Sequence, residues 1–265
     1  MISVIIPFRG DWSLLEECID SLITSELVTE ILIGVDGSIK DQGGKLFSST
    51  KYTNVQIIEF ESGPGVPHIL NSLFSVAKNE YIARMDADDK AKSNRFIDQV
   101  MLMTQKRELG VLGGNIILKH SMQIPHRKNG RLTCKDFFYE NPIAHPTVMF
   151  RKTTIKKIMP DELKLYNVKF TKAQDYELWL RAVRKVEVYN CESILVIYNE
   201  KFSFRTFLWQ HLYFTRAMLN NLIFHFVYRQ CTCKSNLTVE IIFKSLDRIF
   251  VYPFKVLWNL EKEYR

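Results

Sequence analysis

Short runs rich in Ile and Val recur through the first 118 residues, and stretches of helical period separate them. Residues 2–7, 30–35, 55–60, 81–85 and 111–118 read as strands, and residues 12–25, 66–78 and 94–106 read as helices. In the first helix Leu14, Leu15, Cys18, Ile19 and Leu22 share a face. This alternation predicts an α/β domain: a mostly parallel central sheet with helices on both faces, because parallel strands need crossover connections and bury both of their sides. Further along, residues 147–150 and 193–198 read as strands and 175–185 as an amphipathic helix.

Polar residues gather where the strands stop: Arg9-Gly10-Asp11, Asp36-Gly37-Ser38 and Asp86-Ala87-Asp88-Asp89. In open α/β sheets the ligand crevice lies at the carboxyl ends of the strands, so Asp36, Asp86 and Asp88 are expected to meet. No Gly-x-Gly-x-x-Gly follows the first strand and no Gly-Lys-Ser/Thr occurs, which removes the usual dinucleotide and nucleotide-triphosphatase fingerprints. Three carboxylates in four residues repel one another unless a cation intervenes. Oxygen ligands suit Mg²⁺ or Mn²⁺, and Mg²⁺ favours one or two carboxylates plus substrate phosphates. The plainer alternative is a solvated loop in which Asp89 or Ser93 caps the next helix.

Other candidates carry paired readings. Asp36 is either an ordinary Asp-Gly turn or an acceptor for a ligand's hydroxyl or N–H groups. Asp175 shares a helix face with Leu178, Trp179 and Ala182, where a carboxylate is costly without a task; it is either a cap or a catalytic group. Glu177 and Arg181 are expected to form an exposed i,i+4 pair. His145 sits in a Pro-flanked segment, Asn141-Pro142-Ile143-Ala144-His145-Pro146, and a lone His is more often structural than catalytic. Cys231 and Cys233 have no second ligand pair at metal spacing. Five scattered cysteines point to a reducing compartment rather than a disulfide scaffold.

The formal charge of +7 is unevenly spread: −6 over residues 1–99, +8 over 100–199 and +5 over 200–265. The last 66 residues hold 15 of the 33 aromatics, interleaved with Lys and Arg. Such helices suit a bilayer interface, where each cation near anionic lipid adds about 1 kcal/mol; equally, they can pack on the main domain. The apolar start, residues 1–8, is too short for a signal peptide, and no uncharged run reaches the ~18 residues of a spanning helix.

Taken together, Ser3-Val4-Ile5-Ile6-Pro7, Val35-Asp36-Gly37-Ser38, Leu70-Asn71, Tyr81 through Asp89, Asn141 through Arg151 and Gln174 through Arg181 resemble the inverting glycosyltransferases of family 2, with the GT-A fold. The likeness covers residues 1–200, and a helical tail over 201–265 follows. The resemblance implies a nucleotide-sugar half (1–118) and an acceptor half (119–200). Pro7 and Phe8 would lie along the base, Asp36 would bind uracil or ribose of a UDP-sugar, and Asp86 would face the nucleotide. Asp88 would ligate Mn²⁺ or Mg²⁺ on the diphosphate, Asp175 would be the catalytic base, and His145 and Trp179 would stand on the acceptor side.

An ordinary Asp has a pKa near ~3.9, low for a base, so late proton transfer is expected. Members resembling this chain act in bacterial polysaccharide and O-antigen biosynthesis. The acceptor implied is a saccharide on undecaprenyl diphosphate, met by a cytoplasmic enzyme peripheral on the inner membrane face, with no nucleic acid partner. Departures from the family pattern are Val35 for a first Asp, Gln174 for Glu, Ser93 for Pro, and no basic residue around 63–68. The competing functional classes are a metal-dependent nucleotidyltransferase or nuclease using the Asp86/Asp88 cluster, and a non-catalytic interaction module.

Overall fold

The structure, a computed structural model, describes residues 1–37, 52–61, 63–137, 140–159, 164–200 and 215–216. Four strands, β1 (Ile2–Phe8), β2 (Val28–Asp36), β3 (Val55–Phe60) and β4 (Tyr81–Arg84), pair in parallel in the order β3-β2-β1-β4. Beyond β4 the sheet continues through β8 (Met149–Arg151), β6 (Leu109–Leu118), β9 (Glu187–Tyr198) and β5 (Lys90–Ala91). The two-residue β7 (Gly130–Arg131) pairs with β9 off this path. β6 and β9 run parallel, but β8 is antiparallel to both β4 and β6. This reversal places the residues before β8 at the same sheet edge as the ends of β1, β2 and β4.

The strands alternate between two apolar clusters, as a period of two requires. In β1, Val4, Ile6 and Phe8 face one cluster with Leu15, Ile19 and Leu22 of α1 (Trp12–Ile23) and Phe96 and Met103 of α3 (Arg95–Gln105). Ile5 faces the other cluster, with Ile69 and Leu73 of α2 (Val66–Val76) and Leu178 and Trp179 of α5 (Gln174–Ala182). A short helix, α4 (Lys152–Ile155), follows β8 directly. Helices thus cover both faces, as the pattern predicts.

Pro7 is tolerated in a central strand for a definable reason. Ile5 turns its carbonyl toward β4, receiving Met85 N–H at 3.1 Å, and Pro7 points the same way where β4 has already ended. Asp11 caps α1, its side chain accepting Ser13 N–H at 2.9 Å.

Boundaries read from periodicity shift where polar neighbours join an element. β9 begins at Glu187 rather than 193, because its first half, of mixed polarity, pairs with β6 on one side and β7 on the other. Neither Asp89 nor Ser93 caps α3; Asn94 occupies that position, without a side-chain cap bond. The tail over 201–265 lies outside the described residues, except for 215 and 216. There the Arg216 guanidinium stands 5.2 Å over the Phe170 ring, a contact with the main domain. Among the described residues no helix is long and apolar enough to cross a membrane.

Close approach of β2 to α2 depends on Gly34, where a Cβ would meet Ile69 Cγ2 at 2.3 Å and Leu73 Cδ1 at 3.2 Å. Gly34→Ala should therefore overpack this layer and cost about 1–3 kcal/mol in urea unfolding, with an unchanged m-value.

Candidate active site

Two clefts open at the carboxyl edge of the sheet and share a wall made by Val66, Asp86, Thr171 and Lys172. The first, about 450 Å³, is lined by Pro7, Phe8, Arg9, Asp36, Asp86 and Asp88 among others. The second, about 400 Å³, takes in Arg84, Arg127, Asn141, His145 and Asp175. The sheet edge thus gathers Asp36, Asp86 and Asp88, as the strand-end argument expects.

In the first cleft Asp36 is the hub of a loop contact. Its Oδ1 accepts Gly63 N–H at 2.8 Å, and its Oδ2 lies 3.6 Å from Arg9 Nη1. The carboxylate therefore fixes the Gly63-Pro64-Gly65 entry to α2 and draws a cation into the cleft. Around residues 63–68 the sequence offers no such cation; Arg9 supplies it from the end of β1. Phe8 is held edge-on against Trp12 with ring centroids 4.6 Å apart.

The acidic run after β4 is divided by its surroundings. Asp86 makes a two-pronged pair with Arg84, both nitrogen–oxygen distances being 2.5 Å. Burial opposes the Arg84 cation, but the charge and hydrogen bonds of Asp86 outweigh it and raise its pKa. Asp89 turns inward, with Oδ1 accepting Asn199 N–H at 2.8 Å and Oδ2 buried without a partner. Burial, reinforced by the charge of Asp86, lifts its pKa to about 8. Asp88 alone of the three lines the first cleft without lining the second or turning into the core.

Among the described residues no group of three or more His, Cys, Asp or Glu is assembled as a metal cage. A carboxylate at the cleft wall nevertheless fits a hard cation that takes its remaining oxygens from a bound diphosphate. Asp88 is the residue that would hold it.

In the second cleft Asp175 sits in the first turn of α5. Ala173, just before it, adopts a left-handed conformation (φ 52°, ψ 28°) that swings the chain from the Thr171-Lys172 wall into the helix. Asn141 Nδ2 donates to Asp175 Oδ2 at 2.8 Å. Burial raises the Asp175 pKa, opposed by the Tyr176 N–H, the Arg84 charge and Asn141. The low, ordinary value expected from sequence is thus corrected upward by the cleft, a change that suits a proton acceptor.

His145 is buried; its Nε2 stands 2.8 Å from the Tyr166 hydroxyl, and burial followed by the Arg84 charge holds its pKa well below the usual value. It lines the second cleft as a neutral ring. Trp179 does not: it is fully buried, packs edge-on to His145 at 6.0 Å and belongs to the core. Its place beside the cleft is that of a packing partner for the His145 ring.

The Glu177–Arg181 pair is also not an exposed ornament. Arg181 bonds Glu177 Oε1 at 2.7 Å and donates to the Leu165 carbonyl at 2.7 Å. Asn71 clamps the neighbouring Tyr166 from α2, accepting its N–H and donating to its carbonyl, both at 2.8 Å. These bonds hold the segment leading to Asp175. Arg84, Arg127 and Asn141, which the sequence reading leaves without roles, are read only once the fold juxtaposes them.

Asp175→Asn keeps an oxygen for Asn141 and removes a desolvated charge. The raised carboxylate pKa means the ionised form is disfavoured in the fold, so stability falls as pH rises past the unfolded value and is regained as pH falls. The variant should melt at or above the wild-type temperature at neutral pH, and that advantage should vanish in acid; thermal melts across pH test this.

Comparisons with known proteins follow the same line. Residues 3–173 match the family described as Glycosyl transferase family 2. The O-antigen biosynthesis glycosyltransferase WbnJ of Escherichia coli is 30% identical over 193 residues, covering 70% of this chain and 72% of that protein. The amylovoran biosynthesis glycosyltransferase AmsE of Erwinia amylovora is 28% identical over 176 residues, 63% of each chain. The chain spans less than two thirds of the length of the first curated relatives it matches, 39% for the glycosyltransferase MJ1057 of Methanocaldococcus jannaschii.

Among solved structures, S. aureus TarS 1-349 in complex with UDP-GlcNAc superposes with a TM-score of 0.71 at 14% identity, covering 94% of this chain and 72% of that one, a likeness of fold. By the match over residues 3–173 and the likeness to WbnJ, this chain belongs to glycosyl transferase family 2.

Proposed function

We infer that the chain transfers a hexose from a UDP-sugar to a saccharide hydroxyl with inversion, in bacterial surface polysaccharide biosynthesis. The observation that carries this reading is the shared wall. A cleft with strand-end carboxylates and a cleft with a raised-pKa carboxylate meet at Asp86, so a donor in one and an acceptor in the other would face each other. The donor cleft draws chiefly on residues 1–118 and the acceptor cleft largely on 119–200. The kinship with AmsE and WbnJ supports the polysaccharide setting, and TarS 1-349 binds UDP-GlcNAc in a related fold.

In this reading Pro7 and Phe8 lie along the base and Asp36 accepts from uracil or ribose. Asp86 stays near the nucleotide under the hold of Arg84, and Asp88 holds Mn²⁺ or Mg²⁺. That cation, when bound, neutralises charge developing on the departing diphosphate. The acceptor oxygen attacks the anomeric carbon as the bond to UDP breaks, and its proton passes to the Asp175 carboxylate. An α-linked donor gives a β-linked product. Asn141 orients the carboxylate, and the neutral His145 offers the acceptor a polar ring edge without adding charge.

One curated relative, 24% identical over 182 residues, is a UDP-Gal:alpha-D-GlcNAc-diphosphoundecaprenol beta-1,3-galactosyltransferase of Escherichia coli. By analogy the acceptor here is a sugar on a lipid diphosphate, reached at the inner membrane face with the aromatic and basic tail as the peripheral attachment. Two-metal phosphoryl chemistry would need a second ligand set beside Asp86 and Asp88. Asp86 is instead committed to Arg84 and Asp89 to Asn199, which favours the transferase.

Incubation with a panel of UDP-sugars, Mn²⁺ and a GlcNAc-diphosphate lipid analogue should release UDP. No release from any nucleotide sugar, with the protein folded and binding UDP, would refute the reading. Asp175→Asn should lower transfer by about 10²–10⁴-fold while UDP affinity measured by calorimetry stays near wild type. A matching loss of UDP affinity would show that Asp175 serves the donor instead.

A further inference from the structure

The acceptor cleft contains a cation that the transferase chemistry leaves unused. Arg127 precedes β7 in the basic stretch His126-Arg127-Lys128 and is half-buried against the cleft. Its Nη1 donates to the Asn141 carbonyl at 2.8 Å, a neutral acceptor, and its Nε is buried with no partner. Among the described residues no carboxylate lies within ion-pair distance of it, in contrast to Arg84, Lys128 and Arg181, each of which has one.

Burial pulls the Arg127 pKa down, with Glu140 and Asp175 only partly compensating. A half-buried guanidinium without an anion is costly, and supplying the anion recovers that cost. Lys172, in the wall shared with the first cleft, adds a second cation. The Arg84–Asp86 pair cancels internally, so the remaining formal charges are Arg127 and Lys172 against Asp175. His145 contributes none.

We propose that Arg127 binds a phosphate of the acceptor, so that this transferase selects acceptors carrying an anionic group beside the sugar that receives the hexose. The inference rests on the transferase reading above. Its geometry is local: Arg127 bonds the main chain of Asn141, and the side chain of the same Asn141 bonds Asp175. Asn141 therefore links the anion-binding group to the base, and both line the same cleft. A sugar 1-diphosphate would set its phosphate against the terminal guanidinium nitrogens of Arg127 and its accepting hydroxyl at Asp175.

The experiment compares two acceptors for the full-length protein: a sugar 1-diphosphate on a short alkyl chain, and the neutral methyl glycoside of the same sugar. Wild type should prefer the charged acceptor in kcat/KM by about 10–100-fold, the range expected of a charge-assisted hydrogen bond. Arg127→Ala should collapse that ratio toward one, and Arg127→Lys should restore part of it. A ratio unchanged in Arg127→Ala, or no preference in wild type, overturns the proposal.

Should wild type turn over no nucleotide sugar, the transferase reading fails on its own. The anion site is then tested by titrating inorganic pyrophosphate into metal-free protein. Weaker binding by Arg127→Ala supports the site, and equal binding removes it. Thermal melts of both variants, matched to wild type, show that the ratio reports recognition rather than unfolding.

Discussion

A buried guanidinium at the end of a central strand has to be paired, and that requirement organises the site. Arg84 is the last residue of β4, and its side chain is 4% exposed. Among the described residues the carboxylate that reaches it in parallel, two-pronged geometry is Asp86, two residues on. That pair sets where Asp86 stands between the clefts, and with it the start of the turn that carries Asp88 and Asp89. Arg95 secures the same point from behind. Its Nη2 donates to the Arg84 carbonyl at 2.7 Å, while burial draws its pKa down to about 10. The Arg84 charge also reaches across the second cleft, favouring ionised Asp175 and disfavouring protonated His145.

The second constraint is directional. The first four strands run parallel and could present only their own loops at the carboxyl edge. Because β8 enters antiparallel between β4 and β6, its amino end lies at that edge, and the segment from Asn141 through the turn His145–Thr147 arrives beside Asp86. Gln99 of α3 fastens that turn, donating to the Thr147 carbonyl at 2.8 Å. Asn71 and Arg181 fasten the segment before α5. The second cleft is thus bordered by loops held by buried side-chain bonds to main chain and anchored to helices that pack in the apolar clusters.

What the sequence discloses and what it conceals follow from the same division. Strand–helix alternation is written in apolar periodicity, so the first sheet half and the meeting of Asp36, Asp86 and Asp88 are legible without a structure. Periodicity says nothing about β8 running backward, since a three-residue strand carries no direction. Nor does it separate Trp179, which lies in the core, from Asp175, which faces the cleft. Both share the helix face on which apolar spacing places them, and only their distance from the sheet edge divides them. The partners of Arg84, Arg127 and Arg181 are partly or wholly main-chain carbonyls or strand-end carboxylates, contacts that depend on where the chain passes. A basic run such as His126-Arg127-Lys128 therefore reads as a solvated surface until the fold shows that Lys128 pairs with Asp136 and that Arg127 pairs with no carboxylate among the described residues.

The uneven charge along the chain acquires a spatial meaning. A net charge of −6 over residues 1–99 and +8 over 100–199 would, on a single surface, largely cancel. The sheet instead sets them around adjacent clefts: Asp36 and Asp88 line the first, Arg127 lines the second, and Asp86 and Lys172 stand in the wall between them. Carboxylates outnumber cations in the first cleft, where Arg9 and Lys172 face Asp11, Asp36, Asp86 and Asp88, whereas in the second Arg127 and Lys172 stand against Asp175 once Arg84 and Asp86 have paired. Asp175 lies just inside the cationic side, close enough to be helped toward ionisation and buried enough to keep a proton once it takes one.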